Sequence, residues 1–438
     1  MTNCKLKSLY FPSNKSKKVE VNFSGGDVTS DGGVLLLREI DRKLGLSKKM
    51  ASLVPDERDQ RYIDHSVEKM LAQRVYGIAL GYEDLNDHTT LRKDPGFQTA
   101  INCDNDLASA PTLSRFENKA NREMAVGINK LYIETFINSF KKSPKELILD
   151  FDPTDDTIHG HQANRYYNGY YKSYCYLPLY VFCGEQLLVS YLRPCNIDGA
   201  QHAWAILSLL VKRIRQEWPR VKIIFRGDSG FCRHQMLRWC DKHDVGYIVG
   251  IGRNNRLLAF SATLRDEAAK QFEQTQEKQR LFGEFKYAAF SWKYERRIIV
   301  KAEHIWQGAN PRFIVTNLTG DPQKLYEKIY CARGDMENRI KEQQLDLFAD
   351  RTSCHEWWAN QFRLLLSSCA YVLISAIRRM ALKGTELAKA QCHTIRLKLF
   401  KIGAIIIRNT RRIKFLLSSA CPYQDLFMKI SHKLLSLE

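Results

Sequence analysis

Apolar residues in the first part of the chain recur at helical spacing. Residues 34–44 open after the turn Ser30-Asp31-Gly32-Gly33, and residues 67–81 place their apolar side chains three and four apart. The run Lys141-Lys142-Ser143-Pro144 breaks the pattern and sets a boundary near residue 142. Beyond it the texture changes to short apolar runs at 146–152, 174–183 and 186–193, the last two flanking Gly184. A helix at 201–216, a strand at 221–225, a helix at 234–243 and a strand at 245–251 follow, giving the order βββαβαβ. A helical stretch at 259–279 then gives way to strand-like runs at 285–290, 296–302 and 312–316. Residues 322–348 read as one long amphipathic helix, and the remainder as helical. The predicted division is therefore a helical N-terminal domain (1–142), the first part of an α/β core (143–252), an inserted, mainly β subdomain (253–318), a helix completing the core (319–352) and a helical C-terminal region (353–438).

With 438 residues and 44% apolar content, the chain has the means to bury cores in two to four domains. Lysine and arginine outnumber aspartate and glutamate by 67 to 48, an excess that favours a polyanionic partner because each neutralised phosphate releases counterions. Nucleic acid is the first such partner, and charge alone does not separate DNA from RNA. The twelve cysteines, from Cys4 to Cys421, form no CxxC pair and no zinc-finger spacing. Buried free thiols in a reduced cytoplasm are expected. Residues 1–18 carry lysines without an apolar core or cleavage-like site, so no export signal is predicted. The most apolar helix, 362–377, is interrupted by Arg363 and three serines and runs into Arg378 and Arg379. It reads as a core helix, too short to span a bilayer, and no membrane partner is expected.

Two aspartates stand at strand ends, Asp152 in Leu149-Asp150-Phe151-Asp152-Pro153-Thr154 and Asp228 in Arg226-Gly227-Asp228-Ser229-Gly230-Phe231. Carboxylates on neighbouring strand ends suit a shared hard cation, since Mg²⁺ prefers oxygen ligands and keeps waters for a substrate. On the long helix, Tyr330, Arg333, Glu337, Lys341 and Gln344 are spaced three or four apart and share one face. Such a face suits a scissile phosphate, its cations taking the phosphate charge and the glutamate completing a metal site. Two metals about 3.5–4 Å apart would stabilise both the attacking and the leaving oxygen of an in-line displacement. Taken singly, each acid has an ordinary explanation as a turn cap or a solvated helix pair. Their joint order along the chain does not.

Asp-x-Thr, Asp-Ser-Gly-Phe and Tyr-x-x-Arg-x-x-x-Glu in this order resemble the DDE transposases of bacterial insertion sequences, most closely the 1380 group. The resemblance extends to the stretch from Gly25 to Gly33, to Tyr176-Leu177-Pro178-Leu179-Tyr180-Val181, and to Arg193-Pro194-x-Asn196-x-Asp198-Gly199. It implies an RNase H-like core interrupted by a β insertion, with Asp152, Asp228 and Glu337 as catalytic metal ligands. It also implies two Mg²⁺ ions per site, with Mn²⁺ able to substitute, and Tyr330 and Arg333 orienting the phosphate. The activity implied is cut-and-paste transposition, by hydrolysis at the element's ends and attack of a 3′-OH on target DNA. The partners implied are double-stranded DNA, as terminal inverted repeats and target, and a second copy of the chain bridging the two ends. A bacterial, cytoplasmic, nucleoid-associated location follows. The family pattern places a lysine seven residues after the glutamate, where this chain has Gln344; Lys341 is the nearest lysine on that face. Asp150, two residues before Asp152 on the same strand face, is the substitute first acid.

Other features extend the expected DNA contacts. Trp292, with Trp306 beside it in the insertion, is a candidate to stack on a flipped base. In the tail, Arg408, Arg411, Arg412 and Lys414 cluster between apolar runs as a backbone-following basic surface. Residues 69–74 and 88–93 are candidate end-recognition segments of the N-terminal domain. His159-Gly160-His161 lacks a third ligand and reads as a polar turn or substrate contact. Two rival functions remain from the sequence: a nuclease of the same fold that cuts without joining, and an inactive DNA-binding descendant.

Overall fold

The structure, a computed structural model, describes residues 8–436. Cys4, most of the first half of the 1–18 segment and the last two residues of the tail lie outside the described residues. The chain divides into two compact units, one made of residues 1–117 and 369–438, the other of 118–368.

The 118–368 unit is built on one large mixed sheet. Its strands are β1 (Glu146–Pro153), β2 (Leu179–Cys183), β3 (Gln186–Tyr191), β4 (Lys222–Gly227), β5 (Gly246–Ile251), β6 (Gln279–Tyr287), β7 (Arg296–Ile305) and β8 (Arg312–Thr316). They run in the order β6-β7-β8-β5-β4-β1-β2-β3, with the short strand Gly308–Ala309 pairing β7. β1, β4 and β5 are mutually parallel and β2, β3 and β8 antiparallel to their neighbours. The parallel strands need crossovers, supplied by the helices Ala203–Glu217 and His234–Lys242. Their near-continuous apolar character reflects burial on both faces: Leu147, Leu149, Phe151, Ile223, Phe225, Tyr247 and Val249 pack in one core, and Ile224 and Ile248 in a second on the opposite face. Phe151, Phe225 and Phe231 pack edge to face, with ring centroids 5.2–6.2 Å apart.

Three expectations change here. The run 174–183 is two strands, Ser173–Tyr176 and β2, because Leu177-Pro178 interrupts it; the first joins a small sheet with Asp156–Thr157 and Tyr166–Asn168. The strands of 253–318 do not form a subdomain sheet of their own, since β8 pairs with β5 through Ile248–Thr316 to Ile251–Phe313 and extends the main sheet. Alternation specifies a strand but not the edge it joins. The run 322–348 is an irregular helix: a π turn at Leu325–Tyr330, a 3₁₀ turn at Cys331–Arg333, α-helix at Gly334–Lys341 and a second π turn at Glu342–Asp346.

The other unit joins the chain's two ends. Val28–Thr29 pairs with Ala404–Asn409, which pairs with Arg412–Leu417. The tail is thus partly a β-hairpin and not wholly helical, as its Ile405-Ile406-Ile407 run favours. The Ser-Asp-Gly-Gly turn has a packing reason: a Cβ on Gly33 would lie 1.9 Å from the Leu399 carbonyl oxygen, and one on Gly32 2.8 Å from that of Ile402. Helix Val67–Leu80 is capped by Ser66 and ends at left-handed Gly81, and it is buried over most of its surface. Arg74 pairs with Glu117 at 2.6 Å and touches His88 Nε2 at 3.0 Å, all buried. Gln73, Arg74 and His88 are therefore committed to the interior, which removes them from the two segments expected to read DNA ends.

The continuous helical run Trp357–Leu382 is longer than the sequence pattern predicted and, by length and composition, sufficient to cross a membrane. Within the protein, 83% of its most apolar window is buried.

In the sheet core, β4 places Arg226 beside Asp150 of β1. Arg226 Nη2 donates to Asp150 Oδ2 at 2.6 Å and Nε donates to Oδ1, with both side chains buried. Removing one partner of such a pair strands the other charge, so Asp150→Ala is expected to cost about 3–5 kcal/mol. Chemical denaturation reads this directly, and a loss under about 1 kcal/mol would show that the pair does not anchor the sheet.

Candidate active site

The candidate site lies where the carboxyl ends of β1 and β4 meet the irregular helix. Asp152 projects from β1 opposite Tyr180. Asp228 follows β4 and accepts from Gly230 N at 2.8 Å, capping the turn Ser229–Phe231. That turn folds back because Gly227 admits Phe231 closely; a Cβ there would lie 2.9 Å from the ring.

The helix contributes three groups. Arg333 bridges two acids, Nη1 donating to Asp152 Oδ1 at 3.2 Å and Nη2 to Glu337 Oε1 at 2.7 Å. Tyr330 reaches β5, where Gly250 makes room: a Cβ on Gly250 would lie 2.6 Å from the Tyr330 hydroxyl and 2.9 Å from Ser229 N. That phenol is shifted upward, chiefly by burial, with the Asp228 carboxylate adding. Asp152 is pushed up to about 7, first by burial and then by the like charges of Asp228, Glu337 and Asp150, against the pull of Arg333. Two carboxylates thus bond one guanidinium, and a third, Asp228, acts on it electrostatically. The expected trio and its two phosphate-orienting partners are brought to one place.

Asp150 has a different environment from Asp152. Its carboxylate is spanned by Arg226, whose remaining N–H groups reach the backbone carbonyls of Ile329 and, at 3.4 Å, Ala332. The π and 3₁₀ turns shift the helix's own hydrogen-bond ladder at these positions, and the buried arginine supplies donors there. Arg226 thereby positions the backbone that carries Tyr330 and Arg333. A charged residue in an otherwise apolar strand, registered against an aspartate, was its signal.

Other expected contacts fall elsewhere. Lys341 is exposed on the helix surface. Gln344 donates to the Asp155 carbonyl at 2.9 Å and Asp156 Oδ1 at 3.1 Å, bracing the loop after β1. Trp292 is only 9% exposed and belongs to the sheet core, edge-on to Tyr287, which excludes base stacking in this arrangement. Trp306 is 77% exposed. Arg408 donates to Thr99 Oγ1 at 3.1 Å, Gln98 Oε1 at 3.3 Å and the Pro95 carbonyl, so its guanidinium is engaged within its own unit. Arg411 and Arg412 stay exposed at the hairpin turn. His161 accepts from Arg165 at 2.9 Å.

The donor set suits a hard divalent cation. All three groups are carboxylates, one carries a raised proton affinity that a bound cation would relieve, and a single arginine faces them.

A mixed sheet that gathers acids at strand ends around an arginine-bearing helix is an arrangement able to handle phosphate esters. The model of the family described as Transposase DDE domain group 1 matches residues 11–438, and the chain belongs to that family. Members generally use divalent metal ions. Among solved structures, the piggyBac transposase synaptic complex with hairpin DNA is similar at a TM-score of 0.41 and 10% sequence identity, covering 93% of this chain and 82% of that one. No curated protein matches the chain.

The raised Asp152 predicts a pH signature in metal-free protein. Below about pH 4 the group is protonated in both the folded and unfolded states. Between about pH 4 and 7 only the folded state keeps the proton, so its contribution to stability falls as pH rises through that window. Asp152→Asn abolishes the fall. In EDTA the variant should be more stable than wild type by at least about 1 kcal/mol near pH 8, and level with it near pH 4. Parallel stability curves across that range would contradict the acid cluster.

Proposed function

We propose that the protein is a cut-and-paste DNA transposase of a bacterial insertion sequence of the 1380 group. Its chemistry is taken to occur at Asp152, Asp228 and Glu337. The observation that carries the reading is that Arg333 bridges Asp152 and Glu337 at the end of β1, with Asp228, just after β4, acting electrostatically on both Asp152 and Arg333. The order β3-β2-β1-β4-β5, with β2 antiparallel to its neighbours, supports an RNase H-like core, and the helix bearing Glu337 packs where that core needs its third acid.

In this reading Asp152 and Asp228 would hold one Mg²⁺ together and Glu337 would complete a second site. When bound, the two ions supply activation of the attacking oxygen and stabilisation of the leaving oxygen in an in-line displacement. Arg333 exchanges part of its carboxylate contact for the scissile phosphate, with the Tyr330 hydroxyl as a neighbouring donor. Arg226 holds the 329–332 backbone so that both groups stay in register with the strand ends. Water attack at the element's ends frees a 3′-OH, and that hydroxyl then attacks target DNA. A homodimer bridging both ends, acting on nucleoid DNA in the cytoplasm, completes the proposal, and the excess of 19 positive charges favours such a polyanionic substrate.

The test is cleavage of flanking DNA that carries the element's terminal repeats, in Mg²⁺, comparing wild type with Glu337→Gln at matched folding and DNA affinity. Wild type should cut to 3′-OH ends and join them to target, while the variant should lose at least about 100-fold in rate. Equal cutting by the variant removes Glu337 from the site. Cutting without joined products would make the protein a nuclease, and DNA binding without any cutting by wild type would make it an inactive descendant.

A further inference from the structure

The small sheet inserted between β1 and β2 carries a surface that the catalytic reading does not use. From Thr157 to Tyr174 the chain holds five tyrosines, one arginine, one lysine and two histidines, and no carboxylate. Tyr166, Tyr167, Tyr170 and Tyr174 are all exposed, Tyr170 at 87%. Burial therefore does not explain them.

The geometry is that of an ordered aromatic platform. Tyr167 and Tyr174 are cross-strand partners on the strands Tyr166–Asn168 and Ser173–Tyr176, with rings 5.6 Å apart and edge to face. The Arg165 guanidinium lies 4.8 Å from the Tyr174 ring centre, a cation–π contact, and also donates to His161. At the connecting turn Tyr170 stands edge-on to Tyr171, rings 4.9 Å apart, and Asn168 Oδ1 accepts from Tyr170 N at 2.9 Å. Ala163 N donates to the His355 carbonyl at 3.0 Å, Gln162 Nε2 to that of Thr352 at 3.0 Å, and the Tyr176 hydroxyl to that of Ala163 at 2.6 Å. The platform is thus fixed to its unit before any ligand arrives.

It also adjoins the acid cluster. Its first strand, Asp156–Thr157, begins three residues after β1 ends at Pro153, and Gln344 on the Glu337-bearing helix clasps Asp155 and Asp156. The half-buried Tyr171 phenol is pushed up chiefly by its partial burial, with the carboxylates of Asp155 and Asp152 adding to the shift.

Exposed rings interleaved with cations and free of carboxylates match the chemistry of unpaired DNA, whose bases stack on aromatic faces while its phosphates meet positive charge. Resting on the transposase reading above, we propose that Tyr167, Tyr170 and Tyr174, with Arg165 and Lys172, form a base-stacking platform for unpaired nucleotides at the cleaved DNA end. The role expected of Trp292, which is buried, passes to these tyrosines.

The test uses the full chain in Ca²⁺ and two fluorescein-labelled DNAs: a random-sequence duplex, and the same duplex ending in an unpaired thymidine tail. Wild type should bind the tailed DNA more tightly. Tyr167→Leu and Tyr170→Leu should each lose roughly five- to 100-fold of affinity for the tailed DNA while keeping duplex affinity, and Tyr167→Phe and Tyr170→Phe should retain it. Photocrosslinking from 5-iodouracil in the tail should map to these tyrosines. Equal binding of both DNAs by wild type, or undiminished tail binding by the leucine variants, overturns the platform while leaving the transposase reading intact. Failure of wild type to bind either DNA overturns that reading and the platform with it.

Discussion

The site depends on one buried ion pair. Asp150 and Asp152 sit two residues apart on β1, yet the neighbouring strand gives them opposite fates. Arg226, in parallel register with Asp150, takes that carboxylate in a two-pronged grip. A guanidinium has donors to spare, and a buried one must place them. Here they go to the Ile329 and Ala332 carbonyls, so one side chain neutralises an acid, fastens β4 to β1 and pins the helix whose next residues are Tyr330 and Arg333.

That fastening makes the helix's irregularity useful. A straight α-helix from 322 to 348 would set its polar face by 3.6-residue periodicity alone. The π turn ending at Tyr330 and the 3₁₀ turn ending at Arg333 change the pitch twice in nine residues, re-aiming the tyrosine towards Gly250 and the arginine towards Asp152. Such turns are less favourable than regular helix and persist where packing over-determines them.

What the sequence made legible and what it hid divide along this line. Aspartates closing apolar strands and the Tyr330-Arg333-Glu337 spacing are local signals, and they marked groups that the fold brings together. The strand order of the core was likewise readable, because apolar runs and crossover helices alternate. Long-range pairing was not. Nothing local to residues 279–316 says that they continue the main sheet, and nothing in Val28-Thr29 says that it pairs with Ala404 and Ile405. The tail hairpin did carry a signal in Ile405-Ile406-Ile407 and Asn409-Thr410, which the helical reading of the surrounding basic region overrode. Trp292 and Trp306 are indistinguishable as letters; only packing decides that the first is core and the second exposed.

Charge acts at two scales in opposite senses. The chain as a whole carries an excess of 19 positive charges, which favours a polyanionic partner, but the site itself sets three carboxylates near a single guanidinium that bridges two of them. On the proposed reading, a phosphodiester entering that cluster would meet repulsion in a partly buried setting, where screening is weak. Burial first, and then the like charges of Asp228, Glu337 and Asp150, raise the proton affinity of Asp152 against the pull of Arg333. In the proposed reading, a divalent cation held by the acids would supply the missing positive charge, leaving Arg333 available to a phosphate. In that reading the charge balance of the four side chains favours cation binding before a phosphate enters.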